Sequence, residues 1–222
     1  MKITIFGSCR QHSLYNIPGI EVTGIQENIS YPHYTKEVLE LIKFCKEGHI
    51  SPEETTITFR TPALLNKKLY FNETLKNNFY SSDCFIIEIS SKKSYKHKNK
   101  SVHHIFYDDL RFNSNKEEIE FEIESDEEIE KNIIQILDEL KKPTIIVSHI
   151  VTYDSGSRQE LSNLLEKICK NNEILFINPA KEIKKLNYNI DDLLISNDNA
   201  IHYNELGHSI IKNIYAEFLK LL

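Results

Sequence analysis

The chain has 222 residues, 40% of them hydrophobic and 27% charged, with a formal net charge of −6. That size and balance fit a soluble globular protein of one domain with a substantial core. The basic residues are scattered, and the one basic run, Lys92 to Lys100, is balanced by the acidic stretch after Lys116, which speaks against nucleic acid as a partner. Apolar runs such as Phe85-Ile86-Ile87 are far too short to span a membrane, and Met1-Lys2 leads straight into a strand without a signal-peptide layout. The four cysteines (Cys9, Cys45, Cys84, Cys169) are widely spaced with no CxxC pair. They read as reduced thiols of a cytoplasmic protein, without a disulfide frame or a structural zinc site.

In chain order, Ile3, Ile5 and Phe6 predict a first strand that Gly7 cuts off, presenting Ser8, Cys9 and Arg10 at its carboxyl end. A helix starting near Arg10 would point its positive end at Cys9 and favour the thiolate; the plainer reading is a reduced cysteine in a β–α turn. A short helical or turn segment follows (Gln11 to Tyr15), then a strand at Ile20–Thr23 and a loop from Gly24 to Tyr34. Thr35 reads as the N-cap of a helix over Lys36–Lys46, closed by Gly48. The connection 49–63 allows a short strand at Thr55–Phe59, and Pro62–Tyr80 reads as one or two short helices.

Cys84-Phe85-Ile86-Ile87-Glu88-Ile89 is the strongest strand, apolar enough to be covered on both faces. Residues 93 to about 125 read as an irregular insertion near the site, with an edge strand at Val102–Tyr107. On such a strand His103 and His104 would point to opposite faces, so no metal site is expected of them. Ser125-Asp126-Glu127-Glu128 forms a capping box for a helix through Leu140. Then come a strand at Thr144–Val147 ending at Ser148-His149, a helix over Arg158–Lys170 and a strand at Ile174–Ile177. The segment Leu186–Leu194 reads as short and irregular. A final helix runs from about Asn204 to Leu221, with an apolar stripe of Leu206, Ile210, Ile214, Phe218 and Leu221. This alternation predicts an α/β fold with a parallel sheet and helices on both faces.

In such a fold the groups at strand carboxyl ends converge on one edge. Here they are Ser8, Cys9 and Arg10, the Gly24–Tyr34 loop, Ser90 and Ser91, His149, and Asn199 with His202 before the last helix. A thiol near one end of the chain and a histidine near the other suit a Cys–His pair, with Asn199 to orient the imidazole. Alternatives stand beside each role. Ser8 can be the nucleophile with Cys9 only packing, and Asp198 can take the place of Asn199, which can instead cap a helix. His149 reads as a ligand-binding or a partly buried histidine, and His208 as packing or solvated. Arg158 can bind a carboxylate or phosphate or simply start its helix. Tyr31, His33 and Tyr34 can form an aromatic rim for a sugar.

Phe6-Gly7-Ser8-Cys9 resembles the first block (F-G-D-S) of the SGNH/GDSL hydrolase superfamily, with Ser8 in the aspartate place and Cys9 in the nucleophile place. Asn199 to His208 resembles its last block, D-x-x-H, with Asn199 where aspartate is usual and His202 in the place of the base. Cysteine in the first block is similar to the GNC- and GSC-bearing relatives, among them WcbI-like polysaccharide biosynthesis proteins associated with acyl transfer. Gly24 matches the second-block glycine, and Ser90-Ser91 stands where Gly-x-Asn-Asp is absent, removing a usual oxyanion donor. The resemblance implies a three-layer, flavodoxin-like sheet of about five strands. It also implies an O-acyltransferase or esterase acting on a carbohydrate or polysaccharide precursor. Oxyanion donors would be the Cys9 N–H, a loop N–H and a Ser90 or Ser91 hydroxyl. No bound cofactor or metal is implied, and an acyl-CoA can serve as acyl donor. The alternative is a non-catalytic carbohydrate- or nucleotide-binding module on a degraded form of the same fold.

Overall fold

The computed structural model describes residues 1–152, 155–196 and 201–222. Five strands form a parallel sheet: β1 (Lys2–Phe6), β2 (Glu21–Val22), β3 (Cys84–Ile89), β7 (Thr144–Ser148) and β8 (Leu175–Ile177), in the order β2-β1-β3-β7-β8. This is the doubly wound, flavodoxin-like order, whose reversal between β1 and β3 opens a crevice at the carboxyl ends of those strands. β1, β3 and β7 are buried almost throughout, which explains their near-continuous apolar sequences.

Alternate residues of each strand feed two cores. Phe6, Phe85, Ile87, Ile89 and Ile146 pack on the helices Thr35–Glu47, Asp126–Leu140 and Ser157–Asn171. Ile3, Ile5, Cys84, Ile86, Ile145 and Val147 face the other way, against Pro179–Lys185 and the last helix, Glu205–Leu219. Among the described residues no helix is long and apolar enough to cross a membrane.

Several local expectations change. Residues 52–58 form a helix rather than a strand, because Ser51 and Glu54 make a capping box with Pro52 at the first turn. Thr35 does not cap the helix it opens; its hydroxyl donates to the buried carboxylate of Glu124. The irregular segment carries regular structure: β4 (Lys93–His97), β5 (Lys100–Ser101) and β6 (Glu120–Ile123) form an antiparallel sheet in the order β5-β4-β6. Within it, residues 105–108 are a helical turn and not an edge strand. A third small core (Tyr34, Tyr95, Val102, Ile105, Phe106) sits under this sheet.

The last helix buries Gly207, Ile210, Ile211, Ile214, Tyr215 and Leu219, whereas Leu206 and Leu221 are exposed. The buried face is turned toward Gly207 because the helix lies against the Leu193 carbonyl. A Cβ at Gly207 would stand 2.2 Å from that oxygen. Gly207→Ala is therefore expected to destabilise the fold by about 1–3 kcal/mol through overpacking against backbone, read as a lowered urea midpoint at unchanged m-value.

Candidate functional site

Gly7 ends β1 directly beside Glu88 of β3; a Cβ on Gly7 would lie 2.7 Å from the Glu88 Cβ. Only glycine lets the two backbones approach this closely. The turn it begins, a 3₁₀ helix over Cys9–Asn16, wraps around the Glu88 carboxylate. Ser8 N–H donates to it at 2.8 Å, Gln11 Nε2 at 3.0 Å and Arg10 Nε at 3.4 Å, and the Ser8 hydroxyl also donates to it. Gln26, just after β2, braces the turn from the other side by accepting from Gly7 N–H at 2.9 Å. Burial pushes Glu88 up, but the Arg10 guanidinium and these hydrogen bonds outweigh it and hold the carboxyl well below its usual range. His149 lowers it further, while burial and Arg10 in turn depress its own imidazole.

On the solvent side of the turn, Cys9 Sγ lies 3.0 Å from His202 Nε2. His202 is fixed from both sides. Its carbonyl accepts from Ile195 N–H at 2.9 Å, and Asn204 caps the last helix through Gly207 N–H. Ile201, immediately before it, has φ +56°, a left-handed conformation that β-branched residues rarely adopt. The last helix is tied to the turn by Ser13 Oγ to His208 Nδ1 at 2.7 Å, and by the Tyr215 hydroxyl, which donates to Gln11. His208 thus has a structural bond rather than a solvated ring.

The expected thiolate-favouring helix end does not prevail. Burial is the largest influence on Cys9 and pushes its thiol up, with Glu88 adding; Arg10, Arg60 and its own N–H pull the other way without reversing it. Cys9 is nevertheless the accessible thiol. Cys45, Cys84 and Cys169 are buried, and burial pushes Cys84 and Cys169 up to about 12.

A cleft of about 960 Å³ opens over the pair, large enough for an extended small molecule. Ser8, Cys9, Arg10, Ser90, Ser91, His149, Arg158 and His202 all line it, as do Tyr31, His33, Arg60 and Lys93. The Ser8 hydroxyl faces Glu88, and among the described residues no histidine hydrogen-bonds to it. Ser90 Oγ donates to the His33 carbonyl and accepts from His33 Nδ1, and Ser91 Oγ accepts from Lys93 N–H. Gly24 is not among the lining residues; it adopts φ +69° at the start of the Ile25–Asn28 turn that delivers Gln26. Tyr34 is fully buried, its hydroxyl on the Tyr95 and Val102 carbonyls, so it supports the wall rather than forming a rim. Asn199 and Asp198 lie outside the described residues.

Two contributors escape a reading of the sequence. Glu88 leaves one trace, a lone acid in an apolar strand. Arg60, stacked 4.9 Å over the Tyr31 ring, leaves none.

No protein-family model and no curated protein sequence matches the chain. Among solved structures, the chain is similar to a catalytic mutant of an acetylxylan esterase from Geobacillus stearothermophilus. The two share 11% identity with a TM-score of 0.44, over 97% of this chain and 92% of that one. It is also similar to a member of the lipolytic protein G-D-S-L family from Veillonella parvula, at 12% identity and a TM-score of 0.40 over 100% of both chains.

Proposed function

We propose that the chain is an acyl-transfer enzyme of SGNH type in which Cys9 is the nucleophile and His202 the general base. The observation that carries this reading is the 3.0 Å contact between Cys9 Sγ and His202 Nε2 at the mouth of the cleft. Because burial favours the neutral thiol, the base works in concert. His202 Nε2 takes the Cys9 proton as Sγ attacks an acyl carbonyl carbon. The tetrahedral intermediate collapses with loss of the donor's leaving group, which takes the proton back from His202, and the acyl group remains as a thioester. A sugar hydroxyl or water, deprotonated by His202, then attacks the thioester and regenerates the thiol. The Cys9 N–H is the nearest backbone candidate to meet the oxyanion, since Gly7 and Ser8 N–H groups are engaged within the turn. The acceptor we assign is a carbohydrate, with Tyr31 at the cleft wall. Arg60, Arg158 and Lys93 suit a donor with anionic groups, such as an acyl-CoA.

One specific feature favours the non-catalytic alternative: the Ser90 hydroxyl is committed to His33 and is not free to replace the missing oxyanion donor. Thiol chemistry separates the readings. Iodoacetamide should modify Cys9 ahead of Cys45, Cys84 and Cys169, with a rate still rising through and above the ordinary thiol range near 8.5. Incubation with acetyl-CoA or p-nitrophenyl acetate should leave one acetyl group on Cys9, formed about 10²–10⁴-fold more slowly in His202→Ala. Peptide mass spectrometry that finds Cys9 unmodified by every donor would leave a binding module.

A further inference from the structure

Away from the Cys9–His202 pair, three histidines converge on the wall of the cleft. His33 comes from the loop after β2, and His103 and His104 from the start of the Ile105–Asp108 turn. One ring nitrogen from each lies within 4.8 Å of the others, and the His33–His104 and His103–His104 ring centroids are 4.7 and 4.4 Å apart. On a strand His103 and His104 would face opposite ways; the helical turn instead brings both rings to one side.

Each ring has an acceptor for one nitrogen and a lone pair on the other. His33 Nδ1 donates to Ser90 Oγ at 3.0 Å, and the Ser90 hydroxyl is itself committed to the His33 carbonyl, which fixes the direction. His104 Nδ1 donates to the Asp108 carboxylate at 3.2 Å. His103 Nε2 donates to the Tyr31 carbonyl at 3.1 Å. Hydroxyl, carboxylate and carbonyl acceptors behind the rings are the outer shell that orients imidazole ligands around a metal. The remaining nitrogens are His33 Nε2, His104 Nε2 and His103 Nδ1. Only the last has a competing partner, the Ile105 N–H at 3.2 Å. Asp108 supplies compensating negative charge, and Arg60 opposes it.

We propose that His33, His103 and His104 form a binding site for a divalent transition metal, Zn²⁺ foremost, with a coordination position open to the cleft. Imidazole ligands select zinc and its late first-row neighbours over Mg²⁺ or Ca²⁺. A tetrahedral ion at about 2.0–2.1 Å from each nitrogen draws the three nitrogens well inside their present 4.8 Å separation. Rotation of the half-buried His33 and His104 brings them in, and the ion takes the His103 Nδ1 lone pair from the Ile105 N–H. His33 and His104 line the cleft, so a fourth ligand would come from water or from the bound molecule.

The test uses Co²⁺ and Zn²⁺ alone, on chelator-treated full-length protein carrying Cys9→Ala so that the Cys9–His202 pair cannot contribute a thiolate. One equivalent of Co²⁺ should bind with visible absorption of a four- or five-coordinate nitrogen site, and Zn²⁺ should displace it. His104→Ala should abolish that absorption, and Asp108→Asn, which keeps all three ligands, should weaken affinity about 10–100-fold. Circular dichroism checks each variant's fold; if His104→Ala does not fold, Asp108→Asn decides. The proposal is overturned if the Cys9→Ala protein binds neither ion at micromolar concentration, or if Asp108→Asn or a folded His104→Ala binds as tightly as their parent. Because the readout is metal affinity, it stands or falls separately from acyl transfer.

Discussion

Cys9→Ala is expected to lower acyl-donor turnover by about 10⁴-fold or more, the scale on which losing a covalent nucleophile registers. The effect is this large because the neighbouring hydroxyl is not placed to take over the attack. Ser8, the adjacent hydroxyl, is 3% exposed and donates to Glu88, so it lacks the imidazole that Cys9 has at 3.0 Å. Ser8→Ala should instead cost about 1.5–3 kcal/mol of stability, the worth of a hydrogen bond to a charged partner, with the thioester still forming. Steady-state turnover of p-nitrophenyl acetate and an acetylated-sugar panel, with intact mass for the acyl-enzyme, compares the two variants. An active Cys9→Ala protein beside an inactive, folded Ser8→Ala protein would transfer the nucleophile's role to Ser8.

The second large effect is on stability. Glu88→Ala should cost about 3–5 kcal/mol, as expected when one partner of a buried ion pair is removed. Glu88 is 1% exposed and accepts from Ser8, Gln11 and Arg10 together, so its loss strips an acceptor from four buried donor groups of three residues at once. The pH dependence has a definite sign. A carboxyl held below its ordinary range stabilises the fold above that range, and the contribution disappears as pH falls through the native value. The gap in urea stability between wild type and Glu88→Ala should therefore be full at neutral pH and narrow on acidification below about 4.3. Glu37, which burial pushes up to about 8, behaves oppositely and loses stability as pH rises toward that value. It is common to both proteins and cancels in the difference. A gap that is constant from neutral pH into the acid range would mean that Glu88 is not ionised in the native protein.

Much of the architecture was legible because each signal was local. Apolar runs at 84–89 and 144–147 needed no context to read as covered strands, and the Ser125–Glu128 capping box announced its helix. The failures are equally instructive. Thr55-Thr56-Ile57-Thr58 has strand-forming composition, yet the Ser51-Pro52-Glu53-Glu54 start overrode it. Cys9 and His202 could be paired because both lie beside strand ends or helix starts. His33 and His103 could not, since nothing local states that a loop after β2 folds against a turn seventy residues later in the chain. Glu88 was hidden by its strand: a lone acid in an apolar run shows its partners only once β1 and β3 are in register.

The contact between Cys9 and His202 spans 193 positions of sequence. The imidazole therefore reaches the thiol only through the seating of the last helix, which Ser13–His208 and Tyr215–Gln11 tie to the turn. Substitutions that loosen that helix would part the two groups without touching either of them.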